Sequence, residues 1–242
     1  MMRTEAPSAA NRSATTLPIP AAPPVTTAVL PSIPSTARLY LAARTERARR
    51  VRADVDRVAG VISGIVLAAG TGSRFGGTKQ LVEAGGRALV LHAIDALDEA
   101  DEIVVVTGHD DLAVARILPE NVRVLHNPRY RDGQATSLAA GLHALDETSE
   151  AVVVLMADQP GITAQHVRAL VDRFRATRGR VVRLAFRNGP GPALLSREIY
   201  GEAGHLEGDV GARVLFASHP DWVEDVEVDE DVPRDIDTPA DL

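Results

Sequence analysis

From residue 61 onward the chain repeats one pattern: a short apolar run that ends in Gly, Asp or Asn, then a segment of helical length. The runs are SGIVLAAG, DEIVVVTG, VRVLHN, AVVVLMADQP and VVRLAFRN. They are largely apolar at successive positions, so both faces must be covered, which is the requirement of a parallel sheet lying between helices. The intervening segments ALVLHAIDALD, DDLAVARIL, ATSLAAGLHALDE and TAQHVRALVDRFRATR supply those helices. In the last, Thr163 stands at the N-cap, and Val167, Leu170, Val171 and Phe174 recur at helical spacing. The pattern predicts an α/β domain over residues 61–242. Ligands in such folds collect at the carboxyl ends of strands, which is where the unusual residues of this sequence fall.

The segment ahead of that domain has a different character. Residues 1–37 are rich in Ala, Pro, Ser and Thr without a sustained apolar period, and read as a disordered tail. Residues 38–60 are arginine-rich and read as a basic linker or helix. The first 60 residues hold nine arginines against four acids, so a net charge of −7 for the chain leaves −12 on the domain. That balance argues against a nucleic-acid partner, because affinity for a phosphate backbone comes from neutralising it. Without cysteine there is no disulfide framework, thiolate nucleophile or sulfur ligand for a metal. The sequence shows neither a secretory signal nor an apolar run approaching roughly 18 residues, so no membrane partner is expected and the cytoplasm is the expected location.

The first run leads into Gly70, Gly72, Gly76 and Gly77 and then Lys79, the only lysine among 26 basic residues. Glycines let backbone amides close around an anion, while Arg74 and Lys79 bring charge for phosphate oxygens. Gln80 stands where a P-loop needs Ser or Thr, and the third glycine of a dinucleotide fingerprint is missing. The loop reads as a triphosphate cradle of another kind, or as a flexible turn.

The stretch Leu67-Ala-Ala-Gly-x-Gly-x-Arg74-Phe-Gly-Gly-x-Lys79 resembles the signature loop of the MobA-like NTP transferases, which couple an NTP to a phosphorylated acceptor and release pyrophosphate. The resemblance runs from Ile65 to Leu242 and implies a Rossmann-like three-layer sandwich with a mostly parallel central sheet. It implies that Leu67, Ala68, Ala69, Gly70 and Gly72 line the nucleotide, with Arg74 and Lys79 on its phosphates. The segment NPRYRDGQATSLAAGL is similar to one typical of molybdenum cofactor cytidylyltransferases, with Gly133, Ser137, Leu138 and Gly141 in matching places. That branch implies CTP as the nucleotide, with Ser137 beside it, molybdopterin as the acceptor, and docking to a molybdoenzyme or its chaperone. Ser137 and Thr136 could instead cap a helix. Where the branch usually shows Gly-His-Pro ahead of a strand, this chain has Pro192 and Ala193, which puts the acceptor in question.

Asp158 ends the run AVVVLM, where a carboxylate needs hydrogen bonds or a cation. The resemblance implies that it holds Mg²⁺, with Asp237 of the closing segment VPRDIDTPADL as the second ligand and Asp235 in reserve. Asp237 could equally cap the turn that Pro239 enters. Asp209 and Arg213, in GDVGAR, match a segment that borders the acceptor. The seven histidines show no metal-ligand spacing, although His126 and His205 could border a cleft. Together these features imply catalysis by Arg74, Lys79 and Asp158. The rival readings are transfer to a sugar phosphate or another cofactor precursor, and a non-catalytic nucleotide-binding accessory protein.

Overall fold

A computed structural model of the chain describes residues 60–242 apart from 71, 73, 74, 76 and 210. The tail expected over 1–37 and, save Gly60, the linker or helix expected over 38–60 lie outside the described residues. So does Arg74.

The five apolar runs form β1 (Val61–Ala68), β4 (Glu102–Thr107), β5 (Arg123–His126), β6 (Ser149–Met156) and β7 (Val181–Phe186). With β8 (Gly189–Ser196) and β9 (Val223–Val228) they make one seven-stranded sheet in the order β5-β4-β1-β6-β8-β7-β9. All pairings are parallel except the two made by β8, which runs antiparallel to both β6 and β7. The small β2 (Glu83–Ala84) and β3 (Arg87–Ala88) form a separate hairpin, turned by Gly85 and Gly86 at φ of 59° and 78°.

Successive residues of the central strands feed opposite faces, which makes the sandwich three layers deep. Ile62, Val66 and Ala68 of β1 pack with one helix layer, α1 (Leu89–Ala96) and α4 (Ala164–Thr177), on Val90, Ile94, Leu170 and Phe174. Ile65 and Leu67 face the other way, to the side that holds α3 (Gln134–Ala144), α5 (Tyr200–Gly204) and α6 (Arg213–Ser218), where Leu138, Ala203 and Phe216 meet them. The remaining helix, α2 (Asp111–Ala115), follows β4. Thr163 is the N-cap of α4 as expected, and its N–H donates to His166 Nδ1 at 3.1 Å.

Gly64 shows how closely the first face is filled. A Cβ there would lie 2.7 Å from Cδ1 of Leu97, which is itself fully buried. Gly64→Ala should therefore cost about 1–3 kcal/mol by overpacking, read as a lowered midpoint in denaturant at unchanged slope.

Two strands depart from the sequence expectation. Pro192 and Ala193 lie inside β8 rather than ahead of a strand, and Ala193 pairs with Val154 of β6. Two prolines and two glycines at its start hide this strand from a propensity argument. The sheet tolerates them beside an irregularity in the β7–β8 register, and Gly191 lies so close under Phe186 that a Cβ would meet its ring at 2.4 Å. The edge strand β9 mixes acids with valines and is only partly buried.

Candidate active site

The chain leaves β1, adds β4 and β5 on one side, and returns to place β6 on the other. The carboxyl ends of β1 and β6 thus flank a topological switch point, where an open α/β sheet leaves a crevice. Leu67 pairs with Met156 at this edge, and the Ala157 N–H donates to the Leu67 carbonyl at 3.1 Å, which carries Asp158 two residues beyond the end of β6.

The glycine loop covers this edge. Gly72 has φ of 58°, and a Cβ on it would strike the Gly77 carbonyl at 2.1 Å, so the loop folds back on itself only with glycine there. Gln80 ties its two ends together by donating from Nε2 to the Gly70 carbonyl at 2.8 Å. Lys79 opens a 3-10 turn over Lys79–Leu81 and reaches Asp158 Oδ2 at 2.9 Å and Asp237 Oδ1 at 2.7 Å. Burial alone would push its pKa down, but hydrogen bonds to Asp237 and Asp158 and their charges outweigh that and raise it above the ordinary 10.5.

The Asp237 contact depends on the arm at the end of the chain. Pro233 packs against Gly161, Asp235 Oδ1 accepts from Gln159 Nε2 at 2.8 Å, and the buried Ile236 donates its N–H to the Asp158 carbonyl at 3.0 Å. Asp235, the reserve acid, is therefore engaged elsewhere. Capping of the terminal 3-10 turn falls to Thr238 and to Asp241, whose Oδ2 accepts the Thr238 N–H at 2.7 Å. The Asp237 carboxylate is left facing Lys79.

Two adjoining clefts open here. The smaller, about 340 Å³, is lined by Gly70, Gly72, Lys79, Gln80, Asp158, Asp209 and Asp237 among others. The larger, about 590 Å³, runs over Ala69, Tyr130, Arg131, Gly133, Gln134 and Ser137. Leu67, Gly70, Met156 and Asp209 border both. Ser137 is buried and takes a hydrogen bond from Asn127 Nδ2 at 3.0 Å. Neither it nor Thr136 caps α3, because that position is Gly133. Asp209 binds this helix start instead, accepting the Gln134 N–H at 3.3 Å while the Gly208 carbonyl accepts that of Ala135 at 3.1 Å.

Of the residues expected from sequence, Leu67, Ala69, Gly70, Gly72, Lys79, Ser137, Asp158, Asp209 and Asp237 meet at these clefts. Ala68 is buried in β1 beneath them. Arg213 begins α6 at the surface and lines neither cleft. His126 pairs with Asp111, and His205 contacts the Gly201 carbonyl; neither lines a cleft. Sequence reasoning passed over Gln80, Tyr130, Gln134 and Met156. Gln80 offered a signal only through its place after the lone lysine, and an isolated amide, phenol or thioether carries none.

Asp158 and Asp237 give two hard oxygen donors around the position of an ammonium, a set that fits Mg²⁺ with retained waters better than zinc. Among the described residues no group of three or more His, Cys, Asp or Glu gathers as a ready metal site, so a cation held by these two acids would need water or substrate oxygens to complete its shell. No described helix is long and apolar enough to cross a membrane.

Residues 64–223 match the model of the MobA-like NTP transferase domain. Among curated proteins, the chain is 29% identical over 147 residues to the bifunctional protein GlmU of Shouchella clausii, covering 59% of this chain and 32% of that one. It is 30% identical over 129 residues to a probable molybdenum cofactor guanylyltransferase of Thermococcus sibiricus, covering 52% and 63%. The matches thus span less than two thirds of either relative. Among solved structures, that of Rv0371c from Mycobacterium tuberculosis H37Rv in complex with manganese superposes with a TM-score of 0.65 at 26% identity, covering 75% of this chain and 95% of that one. A match over most of the domain, on a sheet whose switch point carries the signature loop, makes this chain a member of the MobA-like NTP transferase domain family.

Proposed function

We propose that the chain transfers a nucleoside monophosphate from an NTP to a phosphorylated acceptor and releases pyrophosphate. The observation that carries this reading is the convergence of Lys79, Asp158 and Asp237 under the glycine loop, from three distant parts of the sequence. In the reaction an acceptor phosphate oxygen attacks the α-phosphorus in line. The new P–O bond forms as the bond to the β-phosphate oxygen breaks, and the electron pair leaves with pyrophosphate. A phosphate monoester is already nucleophilic near neutral pH, so no general base is required, and the protein contributes position and charge. Lys79 and, by its place in the loop, Arg74 bind phosphate oxygens. Asp158 and Asp237 would hold Mg²⁺; the similar Rv0371c has been solved in complex with manganese, another divalent cation. Bound there, the ion would neutralise charge on the transferred and leaving phosphates.

A narrower form of the proposal has CTP as donor and molybdopterin as acceptor. It is supported by the segment from Asn127 to Leu142 and by a relative named for the molybdenum cofactor. That relative is named for guanylyl transfer and another is GlmU, so the likenesses as a group favour the broader reaction, with a sugar phosphate or another cofactor precursor as the acceptor. The deciding experiment is Mg²⁺-dependent pyrophosphate release from CTP, GTP, ATP and UTP, each with and without molybdopterin. Release confined to CTP with molybdopterin selects the narrow form. Release with another pair selects the broad one, and NTP binding without release under every acceptor tried would leave an accessory protein.

A further inference from the structure

The acids assigned to the divalent cation already hold a cation that the chain itself supplies. The Lys79 ammonium hydrogen-bonds both carboxylates, and its side chain is only 11% exposed. At that range it uses lone pairs through which the two acids would bind a metal. It also sets a positive charge where a second would have to enter, in a partly buried wall where screening is weaker than in water. Lysine and metal therefore compete for one pair of acids. We infer, resting on the transfer chemistry proposed above, that Lys79 keeps Asp158 and Asp237 closed to a divalent cation until a nucleoside triphosphate draws its ammonium away, so that metal and nucleotide enter together.

Further features support this role. The Val82 N–H donates to the Lys79 carbonyl at 3.0 Å and the Leu81 N–H to that of Thr78 at 3.0 Å, which fixes the backbone and leaves the side chain as the moving part. The glycine loop is the neighbour to which it would move, since a Cβ on Gly72 would lie 3.1 Å from the Lys79 backbone nitrogen. A triphosphate gripped by that loop comes within reach of a four-carbon stem. An arginine fork would bind the two carboxylates in a fixed planar geometry and release them less readily, which gives a chain with one lysine among 26 basic residues a reason to place it here. By linkage, whatever factor the nucleotide adds to metal affinity, the metal adds to nucleotide affinity.

Because Lys79 is the sole lysine, growth on isotope-labelled lysine marks one side chain in the full protein. Its ε-methylene signal should stay in place when Mg²⁺ is added alone at millimolar concentration, and should move when Mg²⁺ is added with the α,β-methylene analogue of an NTP that calorimetry shows to bind. Manganese binding followed by electron paramagnetic resonance gives a second readout. Without nucleotide, Lys79→Met should bind Mn²⁺ about tenfold more tightly than the natural chain, whereas Lys79→Arg should not. A lysine signal that moves as far with Mg²⁺ alone, or a Lys79→Met variant with no gain in Mn²⁺ affinity, overturns the inference. Should Lys79→Met fail to fold, the spectrum of the natural chain decides. A protein that binds the NTP analogue while its lysine signal stays put loses this inference alone. One that binds no NTP loses the transfer reading and this inference with it.

Discussion

Replacing Asp158 by alanine should lower Mg²⁺-dependent pyrophosphate release by about a thousandfold, close to 4 kcal/mol of transition-state stabilisation, while the thermal transition stays within a few degrees. Lys79→Ala should lose about a hundredfold or more, with the fall mainly in kcat, because the charge it meets grows as pyrophosphate departs. The fold should tolerate the Asp158 change because the arm is attached to that residue's backbone: Ile236 donates to the Asp158 carbonyl, and among the described residues Lys79 is the carboxylate's partner. Lys79 then still has Asp237. Steady-state kinetics beside a thermal melt would check both variants. A tenth or more of the natural rate in each would sink the assignment of these side chains to the chemistry.

A second large effect is expected at Gly133, this time through structure. Its φ of 112° with ψ of 166° is a conformation open in practice only to glycine, and a Cβ would lie 2.3 Å from the Gly208 carbonyl carbon and oxygen. Neither atom can swing aside, because Gly208 accepts the Ala135 N–H and the neighbouring Asp209 accepts that of Gln134. Gly133→Ala should cost about 3 kcal/mol, or about 6–12 °C in melting temperature, and should part the loop from the start of α3. The larger cleft lies along that seam, so NTP affinity measured by calorimetry well below the new transition should fall as well. An unchanged melting temperature would show that the backbone at Gly133 relaxes freely.

The central strands were legible because burial on both faces leaves an uninterrupted apolar signature, as in Val104, Val105 and Val106. The same logic fails for β9, whose valines are interrupted by acids at an edge, and for β8, whose first half is built from Gly and Pro and holds its place through neighbours. At the site, Lys79 and Asp158 stood out by rarity and by position: a lone lysine after glycines, and an acid ending a buried strand. Asp237 was reached only through a motif, since no local pattern tells that a residue 158 positions from Lys79 folds back to it. Arg213 shared the motif of Asp209, yet a helix start turns it to the surface, and sequence spacing alone does not fix that direction.

The position of the arm has a consequence for how the protein is made. A chain emerging from the ribosome can pair β1, β4 and β6 and order most of the sheet while Asp237 is still unsynthesised. Until then Lys79 and Asp158 have each other but lack the third member, and the smaller cleft lacks one wall. Competence for transfer would thus arise only after the strands that precede Asp237 in sequence have been made. Nascent or trimmed molecules lacking the arm that carries Asp237 would be folded in most respects and inert, so that abundance and activity of such a protein need not run in parallel.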